Sequence, residues 1–370
     1  MYYLRQNRHR RCTFFAIIFT AAMLAVGPAL AEEGEKDWQP PPPMPDDFDW
    51  IQLTSGEWLK GEIIAMYEDS LEFDSDELDD LTLAWEDIQH IRTAQIMQVA
   101  FLDGTIATGK LLVEGDDVRI TGDEDYRNTR SQVLSLTAGA PKERNYWSGK
   151  LSAGLNYRTG NTEQIEFNAK AHFKRRTPAN RINFDYLGNF TESDGITIAD
   201  NQRASFGWNL FISKRFYFTP VYGEYFRDPF QNITSRWTLG AGLGFQIVDS
   251  SKITWKVDAA LAYQRTSFDD VAEDEPATAD TPALVIGTRY DNDLTGWMDY
   301  FFYYQFFVVN QESGTYTHHL MTGFEFDLFG DFDFDVSWVW DRIQDPRMGA
   351  DGTFPEQDDF RTIIGLGFSF

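Results

Sequence analysis

Between residues 147 and 370, ionisable side chains recur at alternate positions of long segments. Projected onto one face, they are Lys150, Arg158, Glu166, Lys170, Lys174, Arg181, Asp185, Arg203, Arg236, Lys252, Lys256, Asp258, Glu325, Asp327, Asp333 and Asp335. Basic groups dominate the earlier segments and acidic groups the later ones. Two kinds of chemistry suit such a set. If the face lines a tube, opposed charges orient an ion or a small polar solute on its way through. If the charges meet in pairs, they fill the interior and neutralise one another.

Other constellations are weaker. Arg227, Asp228 and Arg236 flank a polar segment, where they would form either a solute site or an Arg–Asp clamp on a loop; the clamp is favoured. His318 and His319 are the one histidine pair beyond the first 31 residues. With Ser337 they raise the chemistry of a lipolytic hydrolase. However, alternation puts His318 and Ser337 on opposite faces, so a nucleophile–base contact is not available. No catalytic residue and no enzyme activity are expected. The acidic run from Asp69 to Asp80 lacks the ligand spacing of a calcium loop. The single cysteine, Cys12, leaves no thiolate metal site downstream. No metal and no cofactor are expected.

The elements that must position these groups are strands. From Gln164 to Lys174, Ile165, Phe167, Ala169, Ala171 and Phe173 fall on one side, and polar residues fall on the other. A period of two puts the sets on opposite faces of a strand. Alternating stretches start near Trp147, Glu163, Arg181, Gln202, Phe216, Ser235, Lys252, Pro282, Gly296, Thr315, Asp331 and Asp359. Twelve strands bring both ends of a closed barrel to one side. Connections after the even strands are tight, whereas several after the odd strands are long and polar: 192–201, 228–234, 267–281 and 344–358. Short periplasmic turns with longer outer loops are the rule of outer-membrane barrels. Trp147, Tyr157, Trp208, Tyr217, Trp237, Trp255, Tyr263, Trp297, Tyr300, Trp338 and Trp340 are expected in aromatic girdles at the two interfaces. The last strand carries Gly365, Phe368 and Phe370. It resembles the C-terminal signal by which such barrels reach the assembly machinery, although Ile363 stands where a polar residue is usual.

The N-terminal part reads differently. Arg5, Arg8, Arg10 and Arg11, an apolar stretch from Thr13 to Val26 and Ala29-Leu30-Ala31 are the parts of a signal peptide, expected over 1–31. A proline-rich linker follows over 32–47. Residues 48–140 form a small β domain with an internal repeat, expected in the periplasm. Ile51 to Gly56, with Gly61 beyond, matches Val99 to Gly104, with Gly109 beyond; Trp85 to Ile91 matches Arg130 to Leu136. Two small bent sheets sharing a core are expected. A net charge of −26 argues against nucleic acid as a partner.

The barrel resembles the uncharacterised salt-induced (YdiY-like) outer-membrane family. The resemblance rests on Gly160-Asn161-Thr162, on Arg227-Asp228-Pro229-Phe230, and on Ile233, Arg236 and the Gly240-x-Gly242-x-Gly244 strand. It implies fold and location; it assigns no biochemical role and does not cover the repeat domain.

The expectation is therefore an all-β chain: a twelve-stranded antiparallel transmembrane barrel over 147–370, in contact with outer-membrane lipid. Two functions stay open. One is a narrow pore for ions or small polar solutes. The other is an envelope tether, in which the barrel anchors a periplasmic domain that binds a partner protein or the cell wall.

Overall fold

The computed structural model describes residues 47–67, 69–139, 146–160, 163–177, 179–249, 252–273 and 275–370. The expected signal peptide, the linker up to residue 46, and Asn161 and Thr162 of the first-hairpin motif lie outside the described residues.

The N-terminal strands are β1 (Asp49–Leu53), β2 (Trp58–Tyr67), β3 (Ser70–Ser75), β4 (Asp79–Ala84), β5 (Ile88–Phe101), β6 (Ile106–Glu114), β7 (Asp117–Thr121), β8 (Tyr126–Thr129) and β9 (Val133–Ala138). The repeats correspond element for element, down to the 3-10 turns Trp85–Asp87 and Arg130–Gln132 that precede each closing strand. They do not form two separate sheets. One sheet runs β4-β3-β2-β1-β5-β6-β7-β8, and β9 joins it at both β2 and β5. The reason is an exchange of partners. The first half of β5 closes the first repeat on β1 and also pairs with β6 of the second; β9 closes the second repeat and also pairs with β2 of the first. Neither repeat completes its hydrogen bonds alone. The shared core contains Ile51, Phe73 and Ile91 from one repeat and Val99, Val113 and Leu136 from the other. The repeated glycines have matching tasks. Gly56 and Gly104 turn with φ of +102° and +86°. A side chain at Gly61 or Gly109 would run into the carbonyl of Asp74 or Thr121 on the neighbouring strand.

The barrel strands are β10 (Trp147–Arg158), β11 (Gln164–Arg176), β12 (Asn180–Ser193), β13 (Ile196–Phe211), β14 (Phe216–Asp228), β15 (Ile233–Asp249), β16 (Ile253–Phe268), β17 (Thr278–Thr295), β18 (Met298–Val308), β19 (Tyr316–Phe329), β20 (Phe332–Ile343) and β21 (Asp358–Ser369). Each pairs antiparallel with the next, and β21 returns to β10 to close the circle. Polarity is inverted relative to a soluble protein. On β20, Asp333, Asp335, Ser337 and Asp341 are at most 4% exposed, while Trp338 between them is 44% exposed. Outward-facing Leu155, Leu239, Leu261 and Leu366 are likewise exposed. An apolar outer band around a polar interior is the surface a membrane-spanning barrel shows to lipid, because a closed sheet satisfies its backbone without water.

Two expectations are corrected. The long loop over 192–201 is a hairpin with Asp194 and Gly195 at its tip, at φ of +50° and +79°. Asp-Gly is a strong two-residue hairpin signal, and β12 and β13 extend beyond the apolar band to meet it. Tyr217 is no girdle residue: it is 2% exposed and faces the lumen beneath the Arg181 guanidinium, 5.1 Å from its ring. Gly244 makes room for it, since a Cβ there would overlap the Tyr217 ring.

Candidate functional site in the barrel lumen

The inward faces of β10, β11, β19 and β20 bring the first charged cluster together. Lys150 lies 3.0 Å from Glu325, 2.5 Å from Asp333 and 2.7 Å from Asp335. Lys170 lies 3.1 Å from Asp335 and donates to Ser337 at 2.9 Å, and Ser152 donates to Asp335 as well. Buried lysines without carboxylate partners would be very costly, so these strands depend on one another.

The second cluster crosses the barrel. Asp185 of β12 accepts His172 at 2.6 Å and lies 3.7 Å from Arg289, which reaches over from β17 and also holds Asp291 at 3.1 Å. Lys256, Asp258 and Arg181 belong to the same electrostatic neighbourhood.

The third is a crossbar nearer the end that carries the longer loops. Arg203 of β13 holds Glu224 of β14 at 2.6 Å and Asp341 of β20 at 3.0 Å. Asp341 also takes His319 at 2.7 Å and Arg361, and Arg361 donates to Asn201 back on β13. Between these layers lies a cavity of about 110 Å³, lined by Lys170, His172, Arg203, Arg289, Tyr303 and Glu325 among others. Beyond the crossbar the free space falls to about 10 Å³, beside Arg236 and Gln264. An apolar patch of Leu187, Val339 and Ile363 completes the filling, and this gives the unexpected Ile363 a lumenal place.

The projected residues thus separate by depth. Lys150, Lys170, Glu325, Asp333 and Asp335 meet in one cluster, and Asp185 joins the second with Arg181, Lys256 and Asp258 nearby; Arg203 anchors the crossbar. Arg158 and Glu166 stand at the outer end of β10 and β11, apart from all three; Asn168 donates to Glu166 at 3.2 Å. The sorting into a basic early and an acidic late half is only partial, because Glu224, Arg289 and Arg361 break it.

Arg227, Asp228 and Arg236 do not form one clamp. Arg227 pairs with Asp200 at 3.1 Å, and Asp228 accepts the backbone amides of Phe230 and Gln231 to cap the 3-10 turn Pro229–Gln231. Arg236 points into the lumen, donating to Thr266 at 3.2 Å and to the Ser313 carbonyl at 3.3 Å. Alternation separates Arg227 from its neighbour, so the two cannot close on each other. His318 stacks outward against Trp340, 5.5 Å between centroids, and takes no part in the lumen.

Sequence reasoning puts His172 on the polar face of β11 without a partner, and it missed Glu224, Arg289, Asp291, His319, Asp341 and Arg361. For most the signal was present: Asp341 has the parity of Asp333 and Asp335. Glu224 was hidden by an irregularity between Thr219 and Tyr222 that reverses the parity of β14 around Pro220.

Gly365, Phe368 and Phe370 lie at the closing seam. Phe370 exchanges backbone hydrogen bonds with Gly149 at 2.9 Å in both directions. Its ring packs 6.1 Å from Phe173, and Phe368 packs 5.3 Å from Phe332. Gly154 and Gly365 admit the close approach of β10 and β21: a Cβ on Gly154 would meet the Ile364 carbonyl.

Residues 151–370 match the family model described as "Protein of unknown function, DUF481". No curated protein matches the chain. Among solved structures, similarity is found to the NanC porin (6% identity, 60% of this chain and 100% of that one, TM-score 0.38). It extends to the translocator domain of autotransporter NalP from Neisseria meningitidis (11% identity, 60% and 87%, TM-score 0.33). The outer membrane channel DcaP of Acinetobacter baumannii is also similar (10% identity, 87% and 94%, TM-score 0.28).

Proposed function

The chain belongs to the DUF481 family, and on that premise we propose that its outer-membrane barrel forms a narrow passage for ions or small polar solutes, constricted by the ion pairs that cross its lumen. The observation that carries this is a cavity of about 110 Å³ among the three salt-bridged clusters, where charged groups such as Lys170, Arg289 and Glu325 share the wall with Phe301, Tyr303 and Met321. A barrel built only as an anchor gains nothing from an internal space with cationic and anionic walls. A passage uses both, since the walls replace part of an ion's hydration shell. The short turns support a periplasmic place for the N-terminal domain, and the terminal aromatic residues of the last strand support its recognition by the assembly machinery. Within the family, the Arg227–Phe230 and Gly240–Gly244 segments support a resemblance to the salt-induced members. Their roles are structural: the turn is capped by Asp228, and at Gly240 and Gly242 a Cβ would collide with β16 carbonyls.

The test is solute flux into liposomes holding the full chain. Small ions and polar solutes are expected to enter faster than into empty liposomes, with larger sugars excluded. Equal rates would remove the proposal.

A second reading is favoured by the density of lumenal ion pairs: the barrel is a filled anchor, and the repeat domain binds an envelope partner or the cell wall. Silent liposomes, together with partner capture by the full chain that is lost on altering the repeat domain, would establish it.

A further inference from the structure

The end of the barrel that carries the short turns is not free. Lys214, in the turn between β13 and β14, reaches the Asp69 carboxylate at the tip of the β2–β3 hairpin, 2.6 Å away, and lies 5.7 Å from the Trp85 ring. At the end of β11, the Arg176 guanidinium sits 4.2 Å over the Tyr67 ring. Arg175 lies 5.5 Å from the ring of Tyr146, whose hydroxyl donates to Gln98 of β5 at 3.2 Å. Glu72, on the same hairpin, acts electrostatically on Lys174 just inside the mouth. Burial at this contact pushes the Tyr67 hydroxyl up to about 12.

From these contacts we infer that the β2–β3 hairpin is a cap, docked by its acidic tip on the basic half of the barrel's periplasmic mouth and covering the lumen at Lys174. Charge sets where it docks. The rim over β11 to β14 offers Lys174, Arg176 and Lys214, whereas Asp293, Asp299 and Asp327 act on one another across the other half. An acidic hairpin is attracted to the first and repelled by the second. The cap also opens. A partly exposed ion pair and a few cation–aromatic contacts hold weakly enough for thermal motion to undo the docking. Asp69 and Glu72 thereby gain a use, as the complementary charges for a basic rim, whereas Asp76 pairs with Lys60 within the domain. The docking itself does not depend on the lumen being a passage; only its consequence, gating from the periplasmic side, rests on that reading.

The test uses the full chain in lipid with Cys12→Ser, so that Lys174→Cys is the one thiol, labelled by a water-soluble maleimide from the short-turn side. Labelling is expected to be slow with Asp69 present, to rise about tenfold with Asp69→Lys, and to slow again when Lys214→Asp is added. Restoration by the swap separates loss of docking from misfolding of the hairpin, because a misfolded hairpin would not recover. Equal rates in all three proteins, or a swap that labels as fast as Asp69→Lys, would overturn the cap. No current is read, so absence of solute flux would remove the passage and leave the cap standing.

Discussion

At the scale of single residues, the lumen is held by groups that have left water and depend on one another. Asp341 meets His319, Arg203 and Arg361 together. Replacing it by Asn removes the one negative charge that Arg203 and Arg361 share; about 3–5 kcal/mol of barrel stability is expected to go with it. Urea unfolding of the refolded chain, followed by its heat-modifiable gel migration, reads that loss. The N-terminal repeat domain offers a separate check. Gly61→Ala puts a Cβ 1.9 Å from the Asp74 carbonyl and forces β2 and β3 apart. It is expected to cost about 1–3 kcal/mol, seen as a lower midpoint of the domain transition while the barrel stays intact. Much of the site was legible at this scale, because alternation alone sends Lys150, Lys170, Asp333 and Asp335 inward. What alternation cannot supply is depth and partnership. It could not tell that Arg158 stands apart from the clusters, that Arg289 crosses to Asp185, or that Arg236 turns away from Asp228.

At the scale of elements, twelve strands and the sorting of turns by length were legible because both follow from closing a sheet through a membrane. The misread elements have local causes. The Asp194–Gly195 hairpin reads as a loop in the sequence because the strand ends beyond the band are polar and lose their two-sided pattern. The repeats were read as separate sheets because matching segments reveal a unit and not which unit a strand pairs with; β5 and β9 each serve both. The seam between β10 and β21 is the shortest ladder in the barrel, with Lys150 to Ala153 facing Ser369 to Leu366. Its aromatic contacts therefore matter more than those elsewhere. Phe370→Ser is expected to lower the yield of assembled barrel in the membrane and leave unassembled chain behind, as read by heat-modifiable migration in membrane fractions. Equal yields would show that the terminal ring is not required.

At the scale of the whole molecule, the sequence predicts a charged tube and the structure shows how narrow it is. Opposed charges on strands far apart in the chain meet across the centre, so the same residues that identify the lumen also restrict it. This is why function was harder to read than fold: a sequence reports which face a charge is on, and conduction depends on the distance between two such faces. The crossbar of Arg203 and Asp341 joins β13 to β20 across the described interior, and the account stands on its being a constriction in a passage. Single-channel recording of the full chain in planar bilayers, beside Arg203→Gln/Asp341→Asn, measures that directly. The expected result is a small conductance in the native chain and a larger one in the double variant. Silence from both, with each protein shown to be folded and inserted, would contradict it.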